Sequence, residues 1–175
     1  MTAVVGSLMK AQDHLRTMLA NCSAVQTWLG VANATAALAK IHHEALPPPA
    51  SSAEQYTPAA LATHRPFAIV WTDEENGYTR SSLAAGAFDA SGRLAVKLEQ
   101  AVPSAVAGDP GEADLRFKNS IGQIIDGLCG MVDTAGYLSF KRLTVDVGPY
   151  RSHPDEVPTQ GDWQAVELGI DWSGL

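Results

Sequence analysis

The residues whose types could support catalysis or metal binding are few in this sequence, and their spacing is poor. The densest cluster is His42-His43-Glu44. On a helix, adjacent histidines point about 100° apart, and the HExxH spacing that would place two of them on one face is absent. We interpret the cluster as a solvated helix end, where a partly charged histidine complements the helix dipole, and predict no metal site.

Acidic residues, serines and glycines also lack the patterns that catalysis or nucleotide binding requires. Asp73-Glu74-Glu75 has the composition of a carboxylate pair or a cation site, but a hairpin turn ending in Asn76-Gly77 explains the same residues. No serine lies in a GxSxG motif, and no glycine-rich loop is followed by Lys-Ser/Thr. We therefore predict no catalytic residue and no cofactor. A small metal-dependent hydrolase is the least favoured class of function.

Charge and cysteine content limit the partners. The chain has a formal net charge of -7, which disfavours a broad basic surface that grips nucleic-acid phosphates. An acidic surface would suit a wall past which DNA slides without sticking. Cys22 and Cys129 lie in apolar helical patterns without a CxxC motif, so both are predicted to be small buried hydrophobes. No apolar run approaches the ~20 residues of a membrane span, and we predict no membrane contact.

The elements that must position these residues fall into three stretches of one predicted domain. Residues 1–46 form a helical N-terminal segment, with an amphipathic helix from Ser7 to about Ala20, a short helix ending at Gly30, and a third helix over 36–45. Residues 47–66 are rich in proline and are predicted to be an extended connector. Residues 67–175 carry the sheet and one long helix.

Within that third stretch, the patterns predict about five strands. Strands are expected over 67–71, 78–88 and around 94–98, joined by turns at 73–77 and 89–92. The long helix begins after the N-cap Asp109 and ends at Gly136, and two further strands follow around 143–147 and 166–172. Because no βαβ alternation occurs, we predict a two-layer α+β domain whose sheet is mostly antiparallel, with the long helix packed on it.

The last predicted strand has two different faces. Val166, Leu168 and Ile170 alternate with Trp163, Glu167 and Asp171. The second face is either exposed to solvent or a subunit contact, since tryptophan is over-represented at interfaces and an edge strand must be covered or paired. The candidate contact residues on this face and in the preceding loop are Trp163, Glu167, Asp171, Tyr150 and Arg151.

Three segments, in this order, resemble a known family. They are His64-Arg65-Pro66-Phe67-Ala68-Ile69-Val70, the helix Phe117-Lys118-Asn119-Ser120-Ile121-Gly122-Gln123-Ile124, and the closing Trp163-Gln164-Ala165-Val166-Glu167-Leu168-Gly169-Ile170-Asp171-Trp172. With the helical N-terminus and the proline-rich approach, the chain resembles the tail-terminator and tail-completion proteins of long-tailed bacteriophages. The long N-terminal segment and connector depart from shorter members of that family.

The resemblance implies a structural virion protein of the tail or neck, assembled in the host cytoplasm. Such a subunit forms a homo-oligomeric ring, usually hexameric, that caps the tail-tube protein and meets the head-side connector proteins. DNA passes through the bore without specific binding. The long loops, at 148–161, 73–77 and the connector, are the expected contact parts. The alternatives are another neck or tail component, such as a stopper or adaptor, and a non-viral protein-binding adaptor domain.

Overall fold

The computed structural model describes residues 7–47, 58–73, 77–80, 88–131, 138–159 and 161–174. Helices and a mixed, mostly antiparallel sheet fill these ranges, which confirms the α+β prediction. The helices are α1 (Ser7–Asn21), α2 (Ser23–Leu29), α3 (Ala34–Leu38), α4 (Pro58–His64) and α5 (Pro110–Cys129). The strands are β1 (Ile41–His43), β2 (Phe67–Thr72), β3 (Gly77–Arg80), β4 (Phe88–Ala101), β5 (Leu138–Arg151) and β6 (Trp163–Gly174).

The described strands follow the order β1-β2-β4-β6-β5, and β3 pairs with the first residues of β4. β1 pairs parallel with β2, and every other described pair is antiparallel. β2 and β3 both run antiparallel to β4, so the chain does not reverse direction between them. The predicted reversal at 73–77 is therefore wrong, although residues 74–76 lie outside the described residues.

The predicted turn at 89–92 is also wrong, because these residues lie inside β4. They pair with β3 on one side, and from Ala90 onward with β6 on the other, where Ala90 lies opposite Gly174. Hydrogen bonding to two neighbouring strands thus overrides the local turn preference of Asp89-Ala90-Ser91-Gly92.

The N-terminal helices follow the predicted pattern up to Leu38. Gly30 ends α2 with a left-handed φ of 67°, and the Asn33 side chain caps α3 by accepting from Ala36 N at 2.9 Å. The predicted continuation to residue 45 is wrong, because Ile41–His43 forms β1 beside β2. Arg16 donates to the carbonyl oxygens of Ile41 and Leu38, and these bonds hold the chain away from a helical path.

The proline-rich stretch is not extended throughout, since Pro58–His64 forms α4. Pro58 begins this helix, where its missing N–H costs nothing. The following Ala-Ala-Leu-Ala has high helix propensity, which explains why the predicted extended connector is wrong here. Residues 48–57 lie outside the described residues.

The long helix α5 begins as predicted, with Asp109 accepting from Glu112 N at 3.0 Å. It ends at Cys129 rather than at Gly136, and Gly130 N donates to Asp126 O. Cys129 is exposed, so the prediction that both cysteines are buried is wrong for it and right for Cys22. The main core lies between α1, α2, α5 and one face of the sheet. Its largest fully buried side chains include Phe117, Leu15, Leu19, Leu29, Leu94, Leu98, Ile124 and Leu168.

Candidate assembly surfaces

The face of the sheet opposite the core carries a cluster built around Arg93 of β4. Its guanidinium lies 2.9 Å from Asp171 Oδ1, 2.5 Å from Asp146 Oδ1 and 3.5 Å from Asp73 Oδ2. A Cβ at Gly169 would collide with the guanidinium, so this glycine permits the close approach to β6. Burial is the largest single influence on the pKa of Asp146 and would raise it, but the hydrogen bonds from Arg93 and Thr144 and the charges of Arg93 and Arg142 together hold that pKa below the usual range.

A second cluster on the same face surrounds Trp163. Arg65 Nε lies 2.7 Å from Glu99 Oε1, and Lys97 Nζ lies 2.9 Å from Glu99 Oε2. The two cations lie 5.8 Å and 5.4 Å from the Trp163 ring centroid, within range of a cation–π interaction. The Tyr150 ring meets Trp163 edge-on at 5.7 Å. Much of the Trp163 surface is therefore already used within the subunit.

The structure separates the predicted contact residues into different environments. The two faces of β6 alternate as predicted, but β6 lies between β4 and β5, so it is not the edge strand that the sequence indicated. Trp163 and Tyr150 lie together, whereas Asp171 belongs to the Arg93 cluster. Glu167 is half-buried opposite Lys97. A subunit contact through these residues stays a prediction.

Arg151 does not lie on the surface, and its assignment as a contact residue is corrected. It is only 5 % exposed. Its Nη1 donates to Glu156 O at 2.7 Å and its Nη2 donates to Pro154 O at 2.8 Å. Its Nε lies 3.8 Å from Asp114 Oδ1 on α5. Arg151 therefore fixes the backbone of the loop that follows β5.

Asp162 fixes the other end of this loop, which spans residues 152–162 with residue 160 outside the described part. Asp162 Oδ1 accepts from Ser152 Oγ at 2.8 Å and lies 2.6 Å from His153 Nδ1. Its Oδ2 accepts from the backbone N–H of Thr159 at 2.8 Å. The hydrogen bond from His153 is the largest cause that lowers the pKa of Asp162, and the same bond raises the pKa of His153. Arg151 at one end and Asp162 at the other thus hold the loop in one conformation.

We expect the Asp162→Asn variant to lose about 2–3 kcal/mol of unfolding free energy, because charge-assisted hydrogen bonds disappear. The lowered Asp162 pKa makes its contribution present above the unfolded-state value of about 3.9 and lost as the pH falls. The raised His153 pKa makes its contribution complete below about 6.5 and lost as the pH rises. Chemical denaturation across this pH range measures both limbs of the stability profile, namely the acid limb due to Asp162 and the limb at rising pH due to His153.

The His153→Asn variant is the matched control for that experiment. It should flatten the limb at rising pH while leaving the acid limb from Asp162 in place, because the bonds from Ser152 and Thr159 remain. Identical pH profiles for the wild type and Asp162→Asn would contradict the role given to this carboxylate.

β5 is the long edge of the described sheet. It is 14 residues long, and Val145 and Val147 on it are 46 % and 47 % exposed. Both valines belong to the strand predicted around residues 143–147. Because the register shifts between them, Val145 lies opposite Leu168 and Val147 lies opposite Glu167, and both stay exposed at this edge of the described sheet. The register shifts along β5 disrupt the regular row of backbone hydrogen-bonding groups at this edge, so pairing with a further strand is disfavoured. The side chains of β5 are therefore more suitable than its backbone for contact with a partner.

A groove opens where the ends of α1 and α5 meet the start of β5. Its volume is about 250 Å³, and the exposed Cys129 lies on it. The lining of this groove comes from segments that are far apart in the sequence, so no local pattern predicts it. The one sequence signal is the pair of methionines, Met18 and Met131, near the helix ends. The lining residues are Met18, Leu128, Cys129, Met131, Phe140, Lys141, Arg142, Leu143 and Ile170.

The histidine cluster has a structural environment. His42 and His43 lie in β1, half-buried, rather than at a solvated helix end. His43 Nε2 lies 2.9 Å from Asp13 Oδ1 and 2.7 Å from Arg16 Nη1. Burial, followed by the nearby charges of His64 and Arg16, lowers the pKa of His42. These contacts tie β1 to α1. Among the residues that the structure describes, no group of three or more His, Cys, Asp or Glu could hold a metal ion.

Comparisons with protein-family models and with curated proteins give no match to this chain. No helix in the described ranges is long and apolar enough to cross a membrane. The likeness to phage tail-terminator proteins therefore stays a prediction from the sequence.

Proposed function

We propose that this protein is a structural virion protein that forms a ring at the head-proximal end of a phage tail. The ring caps the tail tube and joins it to the head connector. One observation carries the proposal: the long edge strand β5 exposes Val145 and Val147 and leads into a loop whose shape is already fixed. Exposed apolar side chains on an edge strand favour an assembling protein over a monomer.

Two further features support the proposal. The α+β fold with a mostly antiparallel sheet and flanking helices agrees with the fold that the resemblance implies. The net charge of -7 suits a bore through which DNA must pass without being held, because a negative wall repels phosphates at short range. Repulsion of this kind weakens as the salt concentration rises.

We expect the purified protein to form closed rings, or to form them on the ends of assembled tail tubes. Native mass measurement and negative-stain microscopy detect both, and tail-tube subunits kept as monomers are the control. A protein that stays monomeric at high concentration, both alone and with tail tubes, would overturn the proposal. Rings that bind a head connector but not tube ends would make the protein a stopper or adaptor of the neck instead.

A further inference from the structure

We infer that neighbouring copies of this chain join through one repeated contact, in which the loop tip Asp155-Glu156-Val157 enters the neighbour's groove at the start of β5. The occupant of the groove is thus a second copy of this chain. The inference rests on the proposed ring and identifies the surfaces that would build it.

The loop tip has the properties of a rigid, protruding contact. Val157 is 60 % exposed, and Asp155 and Glu156 are exposed beside it. The backbone below the tip is held by Arg151, which binds the carbonyl oxygens of Pro154 and Glu156. Gly108 N also donates to Pro158 O at 2.8 Å. Because the tip is already ordered in the free subunit, little conformational entropy is lost when it binds.

The groove matches this tip in size and polarity. Its volume of about 250 Å³ lies below the ~300–1,000 Å³ of typical small-molecule sites, yet it accommodates one aliphatic side chain. The lining from Met18, Met131 and Leu143 is apolar and partly exposed, and methionine adapts readily to an inserted group. An apolar side chain such as that of Val157 would therefore lose its exposed surface here.

Charge fixes the orientation of the contact. Lys141 and Arg142 are both exposed at the rim of the groove. Asp155 and Glu156 bring two negative charges next to Val157, opposite in sign to Lys141 and Arg142. Arg142 also interacts with Asp146 of its own subunit. On a chain with a net charge of -7, most other surfaces would repel an acidic tip, and complementary rims of this kind mainly provide specificity.

The positions of tip and groove exclude contact within one chain. The groove is lined by the first residues of β5, whereas the loop follows the last residue of this 14-residue strand. In the pairing with β6, Leu143 lies opposite Ile170 and Arg151 lies opposite Gln164, so at ~3.3 Å per residue of β6 the groove and the start of the loop lie roughly 20 Å apart. A head-to-tail contact between two identical subunits is heterologous, and repeating it about an axis generates a ring where the rotation closes.

The Val157→Cys variant tests the inference through the native Cys129. Cys22 is buried, so the exposed Cys129 is the thiol that the tip of a neighbour would meet. With diamide as the oxidant, assembled protein should give a ladder of disulfide-linked oligomers on a denaturing gel, which a reductant collapses. Val157→Cys combined with Cys129→Ser should give none. Met9→Cys, at an equally exposed position on α1, should give none with Cys129 intact.

Charge reversal gives an independent readout. Asp155→Lys/Glu156→Lys and Lys141→Glu/Arg142→Glu should each weaken assembly at least about tenfold, with unchanged circular dichroism. Mixing the two variants should restore assembly, because each reversed tip then faces an oppositely charged rim. Rings that form without the disulfide ladder, and that tolerate each reversal alone, would overturn this contact and leave the ring itself intact. Absence of any assembly, alone or on tail tubes, would overturn both.

Discussion

Replacing Glu99 with alanine is expected to lower the free energy of unfolding by about 3–5 kcal/mol. The Glu99 and Arg65 side chains are each only 5 % exposed, and their ion pair is closed by Lys97. Removing the carboxylate leaves two cations facing each other beside Trp163, with no negative partner to offset the cost of burial. Urea denaturation followed by circular dichroism measures the loss.

Glu112→Ala is the matched control, since Glu112 also pairs with an arginine. Its partner Arg116 lies one helical turn away, and the two side chains are 41 % and 58 % exposed. Such exposed pairs contribute about 0.3–0.5 kcal/mol. The double variant Arg65→Met/Glu99→Leu should be far less damaging than Glu99→Ala, because it removes the buried Arg65 charge together with Glu99 and leaves only Lys97, which is 26 % exposed. Equal losses for Glu99→Ala and Glu112→Ala would refute the buried network.

Replacing Ile170 with aspartate is expected to leave the protein unfolded at room temperature, so that no cooperative unfolding transition is observed. Ile170 is 2 % exposed on β6 and lies opposite Leu94 and Leu143 on the two neighbouring strands. Loss of the side chain alone costs about 2–5 kcal/mol, and an unpaired buried carboxylate adds to that. The sum approaches the whole stability of a domain, about 5–15 kcal/mol.

Val145→Asp is the control for this prediction. Val145 belongs to the neighbouring strand and faces Leu168, but it is 46 % exposed. A charge there remains in water, so the free energy of unfolding should change by no more than about 0.5 kcal/mol. Thermal unfolding by near-ultraviolet circular dichroism separates the two outcomes. A folded Ile170→Asp protein would mean that the core face of β6 is wrongly assigned.

The spacing of apolar residues correctly predicted the helix and the strand whose own sequence shows a regular pattern. The face of α5 from Phe117 to Leu128 and the alternation of Val166, Leu168 and Ile170 were both readable, because burial imposes a regular spacing. The wrong predictions concern segments whose secondary structure depends on pairing with strands that are distant in the sequence. Residues 89–92 resemble a turn until β3 and β6 pair with them, and the β1 residues resemble a helix until β2 does.

The candidate surfaces were less accessible to sequence analysis. Trp163 and Asp171 were identified from their alternation, but the spacing could not reveal that Arg65, Lys97 and Arg93 would occupy the same face. Arg151 followed a predicted strand and carries a charge, and both features favour exposure. Its hydrogen bonds to two carbonyl oxygens of its own loop instead hold it in a buried position. Such contacts depend on strand order, which no local pattern specifies.

The position of β6 between β4 and β5 also determines when the sheet can form during protein synthesis. β6 is synthesised after both of its neighbours in the sheet, and its pairs reach back as far as Ala90 opposite Gly174. Until it leaves the ribosome, β4 and β5 each present a long row of unpaired backbone groups, a state prone to aggregation. Pairing between such distant residues is slow, typically milliseconds to seconds. The described sheet therefore closes only after β6 has been translated, and until then the open edges of β4 and β5 are exposed to wrong pairing.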